Sequence, residues 1–185
     1  YKFSNQINAE FFTTLRNRVN DYFVVNNLPK HGNHKIVIKS VVMFLLYLLP
    51  YVVIVSGWVT HPVLYIGLWL VMGLGGAGIG VNIMHDANHG VWSRSKWWNK
   101  AMGKSVNLIG GNDRTWQLQH NVLHHAYTNV NGMDHDLEAP VFLRFSPHQE
   151  LRWYHRFQYI YAWFFYGLQT FARAFATDFV NAVIF

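Results

Sequence analysis

The sequence predicts an all-α integral membrane fold: a transmembrane helical hairpin followed by interfacial helices that form a histidine-rich cap. Three observations predict it. Charged residues are only 13% of the 185 and hydrophobic ones are 51%, whereas a soluble domain carries about 25% charge. Two uncharged runs, 40–59 and 62–84, each have the length that crosses a bilayer. Five histidines gather in two short stretches, HDANH at 85–89 and HNVLHH at 120–125.

The elements follow in order within a single domain, 1–185. Residues 10–27, EFFTTLRNRVNDYFVVNN, have a loose helical period that Pro29 and Gly32 end, so 1–39 reads as an amphipathic segment on the cytoplasmic membrane surface. Residues 40–59, SVVMFLLYLLPYVVIVSGWV, make the first span, with Pro50 tolerated as a kink. Residues 62–84, PVLYIGLWLVMGLGGAGIGVNIM, make the second, and 40–84 becomes a hairpin turning at Thr60, His61 and Pro62. Six of the fifteen lysines and arginines precede residue 40, eight lie between 85 and 156, and Arg173 follows. The positive-inside rule then puts both histidine stretches in the cytoplasm. Residues 85–156 are polar, with Trp92, Trp97, Trp98 and Trp116 among them, a pattern expected of interfacial helices. From Phe157 the chain turns apolar again, and 157–185 reads as the start of a further membrane or interfacial helix.

Composition also excludes functions. Without cysteine there is no disulfide, thiolate zinc site or cysteine-ligated iron–sulfur cluster. The formal charge of +6 is split around the hairpin and not drawn into one stripe among stacking aromatics, which argues against nucleic acid as a partner. Membrane lipids are the expected partners of Arg94, Lys96, Lys100, Lys104 and Arg114, which can also hold the phosphates of an anionic substrate.

His85 and His89 are four apart, which puts both rings on one helix face. His120 and His124 repeat the spacing, with His125 about 100° further round. Five neutral imidazoles converging without a metal would each need unrelated hydrogen-bond partners. A metal site explains residue type and spacing together, since imidazole suits iron, zinc, copper and nickel. Soluble di-iron bundles use Glu-x-x-His pairs. The three glutamates here, Glu10, Glu138 and Glu150, fall in no such motif, so a di-metal site would be histidine-rich. Asp86, Asp134 and Asp136 are candidates for orienting the rings. His135 and His155 are additional candidate ligands, whereas His31, His34, His61 and His148 read as ordinary polar residues.

H-x-x-x-H closing a hairpin, followed by H-x-x-x-H-H, resembles the first two histidine boxes of membrane fatty acid desaturases. The wider stretches MHDANHGVWS, QHNVLHHAYTNVNGMDHDLEAP and HRFQYIYAWFFYGL are similar to the bacterial acyl-CoA branch, with linoleoyl-CoA and front-end desaturases. The resemblance covers most of the chain. It implies two irons held by His85, His89, His120, His124 and His125, with O2 as co-substrate and electrons from an external ferredoxin or cytochrome b5-type donor. It implies a fatty acyl-CoA or acyl-lipid substrate, with the thioester favoured, and a bacterial inner membrane. It also implies ligands from a third box, Q/H-x-x-H-H, and no such motif occurs between His125 and Phe185. The chain is therefore expected to be the N-terminal part of a longer enzyme, with an incomplete ligand set and no activity alone.

Other motifs are weaker. GLGGAG at 73–78 matches a dinucleotide fingerprint in letters but lies inside an apolar span, where small residues let a second helix or an acyl chain approach. HDANH differs from the zinc-protease H-E-x-x-H in its shorter acid, and that reading leaves HNVLHH unexplained. Two rivals stay open: a membrane hydroxylase or ketolase with the same boxes, and a transporter with a histidine proton relay.

Overall fold

The computed structural model describes residues 9–172. Among these residues it is all-helical, with no strand. Helix α1 (Ala9–Val25) buries no side chain, and Phe11, Phe12, Val24 and Val25 stay exposed on it. Asn27 closes it with a φ of 49°, a left-handed conformation that asparagine tolerates.

Helix α2 (His34–Val55) begins where Asn33 accepts the N–H of Lys35 at 2.9 Å. It runs through Pro50 to Ser56, where Gly57, at φ +70°, starts the turn. Helix α3 (Pro62–Gly78) opens on Pro62, whose missing N–H would be unpaired at that position anyway. The rod does not stop at Gly78. It continues through a π-helical stretch, Ile79–Met84, into α4 (His85–Asn88). The continuous helix Pro62–Asn88 has 27 residues and α2 has 22, and both are long and apolar enough to cross a membrane. At 1.5 Å per residue they measure about 40 Å and 33 Å. Val41, Leu45, Leu48 and Val52 on α2, with Leu64, Leu70 and Leu74 on α3, point outward, as lipid-facing side chains do.

Glycine sets the hairpin's spacing. A Cβ on Gly75 would lie 2.5 Å from the backbone nitrogen of Tyr47 and 2.7 Å from the carbonyl carbon of Leu46, and one on Gly78 would strike Met43. GLGGAG is thus a helix-packing surface against α2. Below it, Ile79, Ile83, Ala87 and Trp92 form the buried core, flanked by Ile36, Met43, Phe44, Met102 and Ile109.

Past α4 come α5 (Lys96–Gly103), a 3-10 stretch Lys104–Ile109, α6 (Asp113–Gln117), a π-helical stretch Leu118–His124 and α7 (His125–Tyr127). The expectation of interfacial helices across 85–156 needs correction after Tyr127. From Thr128 to Arg152 the chain is irregular apart from a 3-10 turn at His135–Leu137. Asn129 in a left-handed conformation, Gly132, Pro140 and Pro147 break helical continuity there. Trp92 is also not interfacial: it is buried, and its indole donates to Ser40 Oγ at 3.0 Å. A 3-10 turn (Trp153–Phe157) leads into α8 (Gln158–Ala172), the apolar helix expected there. The remainder of 157–185 lies outside the described residues.

Gly75→Ala should destabilise the hairpin by about 1–3 kcal/mol, lowering Tm in detergent by about 2–10 °C. Gly67→Ala, whose Cβ would meet nothing within 4 Å, is the matched control and should leave Tm nearly unchanged.

Candidate metal centre

The first two histidines ride on the final turn of the long rod. The His85 N–H donates to Gly80 O, five residues back, while the His89 N–H returns to α-helical pairing with His85 O at 3.1 Å. Their ring centroids stand 4.6 Å apart. Gly90, at φ +74°, ends the helix, and the N–H groups of Val91 and Trp92 fold back onto Asp86 O. Asn99 fixes the exit by donating to Gly90 O and Ser93 O and accepting the Ser93 N–H.

The second stretch starts at α6, where Asn112 accepts the N–H groups of Arg114 and Thr115. The π-helical stretch then changes which histidines meet. In an α-helix, residues five apart point about 140° away from each other. Here the His125 N–H donates to His120 O, and i→i+5 pairing brings those two side chains together. Their Nε2 atoms lie 3.3 Å apart. The His120 and His124 rings stack at 5.4 Å, as their spacing predicts, and the π-helical winding adds a contact that the spacing does not predict, His120 with His125, while His124 Nδ1 turns toward Asp134.

His85, His89 and His120 each offer a ring nitrogen, and these lie within 4.8 Å of one another. His125 closes the group, with its ring 4.9 Å from that of His89 and 4.8 Å from that of His120. This donor set fits a metal. Nitrogens about 2.1 Å from one tetrahedral ion stand about 3.4 Å apart, close to the His120–His125 separation, and neutral imidazoles suit iron. Two residues not singled out from the sequence hold the arrangement. Asn88 joins the stretches, taking the Gln117 amide on its Oδ1 at 3.0 Å and the Asn121 amide on its carbonyl at 3.4 Å. Trp116 stacks on His120 at 4.4 Å and meets His85 edge-on at 6.0 Å. An asparagine between two histidines and a tryptophan four residues before a third were the available signals.

His124 is held differently. Its Nδ1 lies 3.0 Å from Asp134 and 3.3 Å from Asp136, which leaves Nε2 outside those pairs. Asp134 is 1% exposed. It also accepts the N–H groups of Asn129 at 2.8 Å and Asp136 at 3.1 Å, so one carboxylate both folds the 129–136 loop and orients the ring. Burial alone would raise the Asp134 carboxyl, but these bonds outweigh it and keep it below the ordinary range. The same bond lifts His124 above the ordinary histidine value. The cluster does the opposite to its members. Burial first, and then repulsion from His125, His85, His89 and His124, lowers His120 to about 4. Burial and the neighbouring His85 and His125 lower His89. Both rings are thus neutral and able to bind metal at pH 7.

Of the remaining candidates, Asp86 lies 3.4 Å from His85 Nδ1, at the edge of hydrogen-bond range. His155 is corrected: it is buried, its Nδ1 accepts the Arg152 N–H at 3.1 Å and its Nε2 donates to Val141 O at 2.9 Å, so no lone pair remains for a metal. The His135 side chain lies outside the described residues.

In metal-free protein, Asp134→Asn should move His124 titration to lower pH, read by NMR of the ring protons. The stability that the pair adds is full below pH 6.5 and fades as pH rises through the elevated His124 value. For His120 the sign reverses. An unfolded chain takes up that proton near 6.5 and the folded one only near 4, so His120 lowers stability as pH falls across that window. His120→Asn should flatten this part of the Tm-versus-pH curve.

The fatty acid desaturase family matches residues 60–183. The chain is 35% identical over 158 residues to the sn-1 linoleoyl-lipid 6-desaturase of Arthrospira platensis, covering 84% of this chain and 42% of that one. It is 31% identical over 183 residues to the acyl-lipid (8-3)-desaturase of Physcomitrium patens, covering 97% and 38%. Against the chloroplastic acyl-lipid (7-3)-desaturase of Chlamydomonas reinhardtii it is 41% identical over 93 residues, or 50% of this chain and 18% of that one. The chain thus spans about two fifths or less of the length of these curated relatives. No solved structure matches it significantly. The matched region contains both histidine stretches, the close of the hairpin and the loop anchored by Asp134, and the chain belongs to the fatty acid desaturase family.

Proposed function

We propose that this chain carries five ligands of a di-iron centre that introduces a double bond into fatty acyl chains, using O2 and two electrons from a ferredoxin or cytochrome b5-type donor. The observation that carries the reading is convergence: imidazoles from 85–89 and 120–125, more than thirty residues apart, present ring nitrogens within 4.8 Å of one another. His85, His89, His120 and His125 hold metal from this cluster, and His124 adds its Nε2 because Asp134 holds its Nδ1. When bound, iron supplies the O2-derived oxidant that takes hydrogen from two adjacent unactivated methylenes, chemistry beyond any side chain. Overall, two hydrogens leave the chain, and O2 with two electrons and two protons becomes two waters.

The protein's own part is orientation and protonation state. Asp134 fixes the His124 ring, Asn88 keeps the two stretches in register, and Trp116 holds the plane of His120. The two long apolar helices suit a bilayer, with the cluster at the end of the rod beside its cytoplasmic surface. The thioester favoured by the sequence gives way to a lipid-bound acyl chain as the preferred substrate, because the relatives named above are acyl-lipid enzymes.

The test is iron content and product analysis in the full-length protein purified anaerobically. His124→Ala should abolish iron loading and turnover, and full activity in that variant would remove the ligand assignment. Asp134→Asn should weaken iron binding by about 10–100-fold. Mass spectrometry of the acyl product should find a chain two hydrogens lighter, whereas a hydroxylated chain would favour the hydroxylase.

A further inference from the structure

Outside the histidine cluster, the most distinctive feature of the described residues is a pocket of about 430 Å³ lined by Arg144, Arg152, Arg156, Trp153, His155 and Gln158, with Leu151 at its rim. Three guanidiniums share it, and no carboxylate is among its lining residues. Its walls are fixed. Gln158 and the Arg144 backbone exchange two hydrogen bonds, Oε1 accepting the Arg144 N–H at 3.0 Å and Nε2 donating to Arg144 O at 3.1 Å. The Arg144 guanidinium donates to two neutral carbonyls, Gln149 O at 2.9 Å and Pro147 O at 3.1 Å, bonds that fix it without cancelling its charge. His155 is buried in the wall with both ring nitrogens bonded to backbone. Arg156 lies 4.6 Å over the ring of Phe157, which orients it and leaves its charge in place. Arg152 pairs with Glu150 at 3.0 Å, but this pair is exposed and therefore weak.

Three arginines around one cavity, with Arg144 and Arg156 held in place, are matched to a phosphate, whose oxygens accept hydrogen bonds from guanidinium groups. The rim suits the same ligand at a bilayer surface: Trp153 is 73% exposed and Leu151 is 70% exposed, and such side chains settle at the headgroup level. We propose that the Arg144–Arg152–Arg156 pocket binds a phosphate group carried by an acyl-bearing molecule, either a phospholipid headgroup or the phosphates of coenzyme A. As a substrate site it rests on the desaturase reading, but phosphate binding itself does not.

The test is calorimetric titration of the full chain in neutral-detergent micelles with two separate probes: dihexanoylphosphatidylglycerol and coenzyme A. Dihexanoylglycerol, which lacks phosphate, is the control. Saturable binding of either phosphate probe, but not of the control, is expected, and the probe that binds identifies the source. Arg152→Gln/Arg156→Gln, which spares the structural Arg144, should weaken that binding roughly tenfold or more. Arg156→Gln alone should weaken it less and serves if the double variant does not fold. Arg16→Gln/Arg18→Gln on α1 removes the same charge elsewhere and should change affinity less than twofold. Neither probe binding, equal binding of the phosphate-free control, or a loss that follows Arg16 and Arg18 and not Arg152 and Arg156 would overturn the site. None of these readouts involves turnover, so phosphate binding together with a full-length protein that makes no desaturated product counts against the desaturase reading and not against the pocket.

Discussion

The arrangement of the histidines depends on one junction, where the end of the long rod meets the 113–125 segment at Asn88. Both faces of that residue are in use: its amide oxygen and its backbone carbonyl accept from the second segment, and Gly103 leaves room for its side chain, since a Cβ there would stand 2.5 Å from Asn88 Oδ1. Neither histidine stretch can set its own distance to the other. That distance follows from how the rod packs on α2, how Trp92 ties the following turn to Ser40, and how Asn99 holds the exit from His89. Packing of small residues in the hairpin is thereby transmitted to the spacing of imidazoles near its end.

Electrostatics divides the five rings into two kinds. Four lie against one another, and burial first, then the neighbouring rings, depresses His120 and His89. The fifth is drawn away by a buried carboxylate that favours its protonated form. Metal-free protein therefore holds His120 and His89 as neutral rings, while Asp134 keeps its charge because three donors compensate its burial.

Much of this was legible in the sequence. Uncharged runs over 40–59 and 62–84 identified the two long helices, and the paired histidines identified the stretches that converge. GLGGAG was legible as a close-packing surface, although which residues it would touch was not. Hydrophobic periodicity could not reveal the π-helical stretches, because it assumes 3.6 residues per turn, and so it found the stacking of His120 on His124 and missed the closer His120–His125 contact. Nor could composition separate Trp92, which is buried, from Trp97, which is 66% exposed. His155 looked like a ligand by residue type and proved to be a wall of the arginine pocket, because two backbone groups 14 and three residues away claim its nitrogens.

The two π-helical stretches make this protein sensitive to length in an unusual place. Elsewhere, as in the exposed turn from Ser56 to Thr60, one residue more or less can be absorbed by local slack. Within 79–84 or 118–124 a single deletion would restore ordinary winding and turn five-apart pairing into four-apart pairing, changing which side chains inside the stretch share a face. Chain length there sets which side chains share a face, a register that the connections elsewhere in the chain do not have to keep.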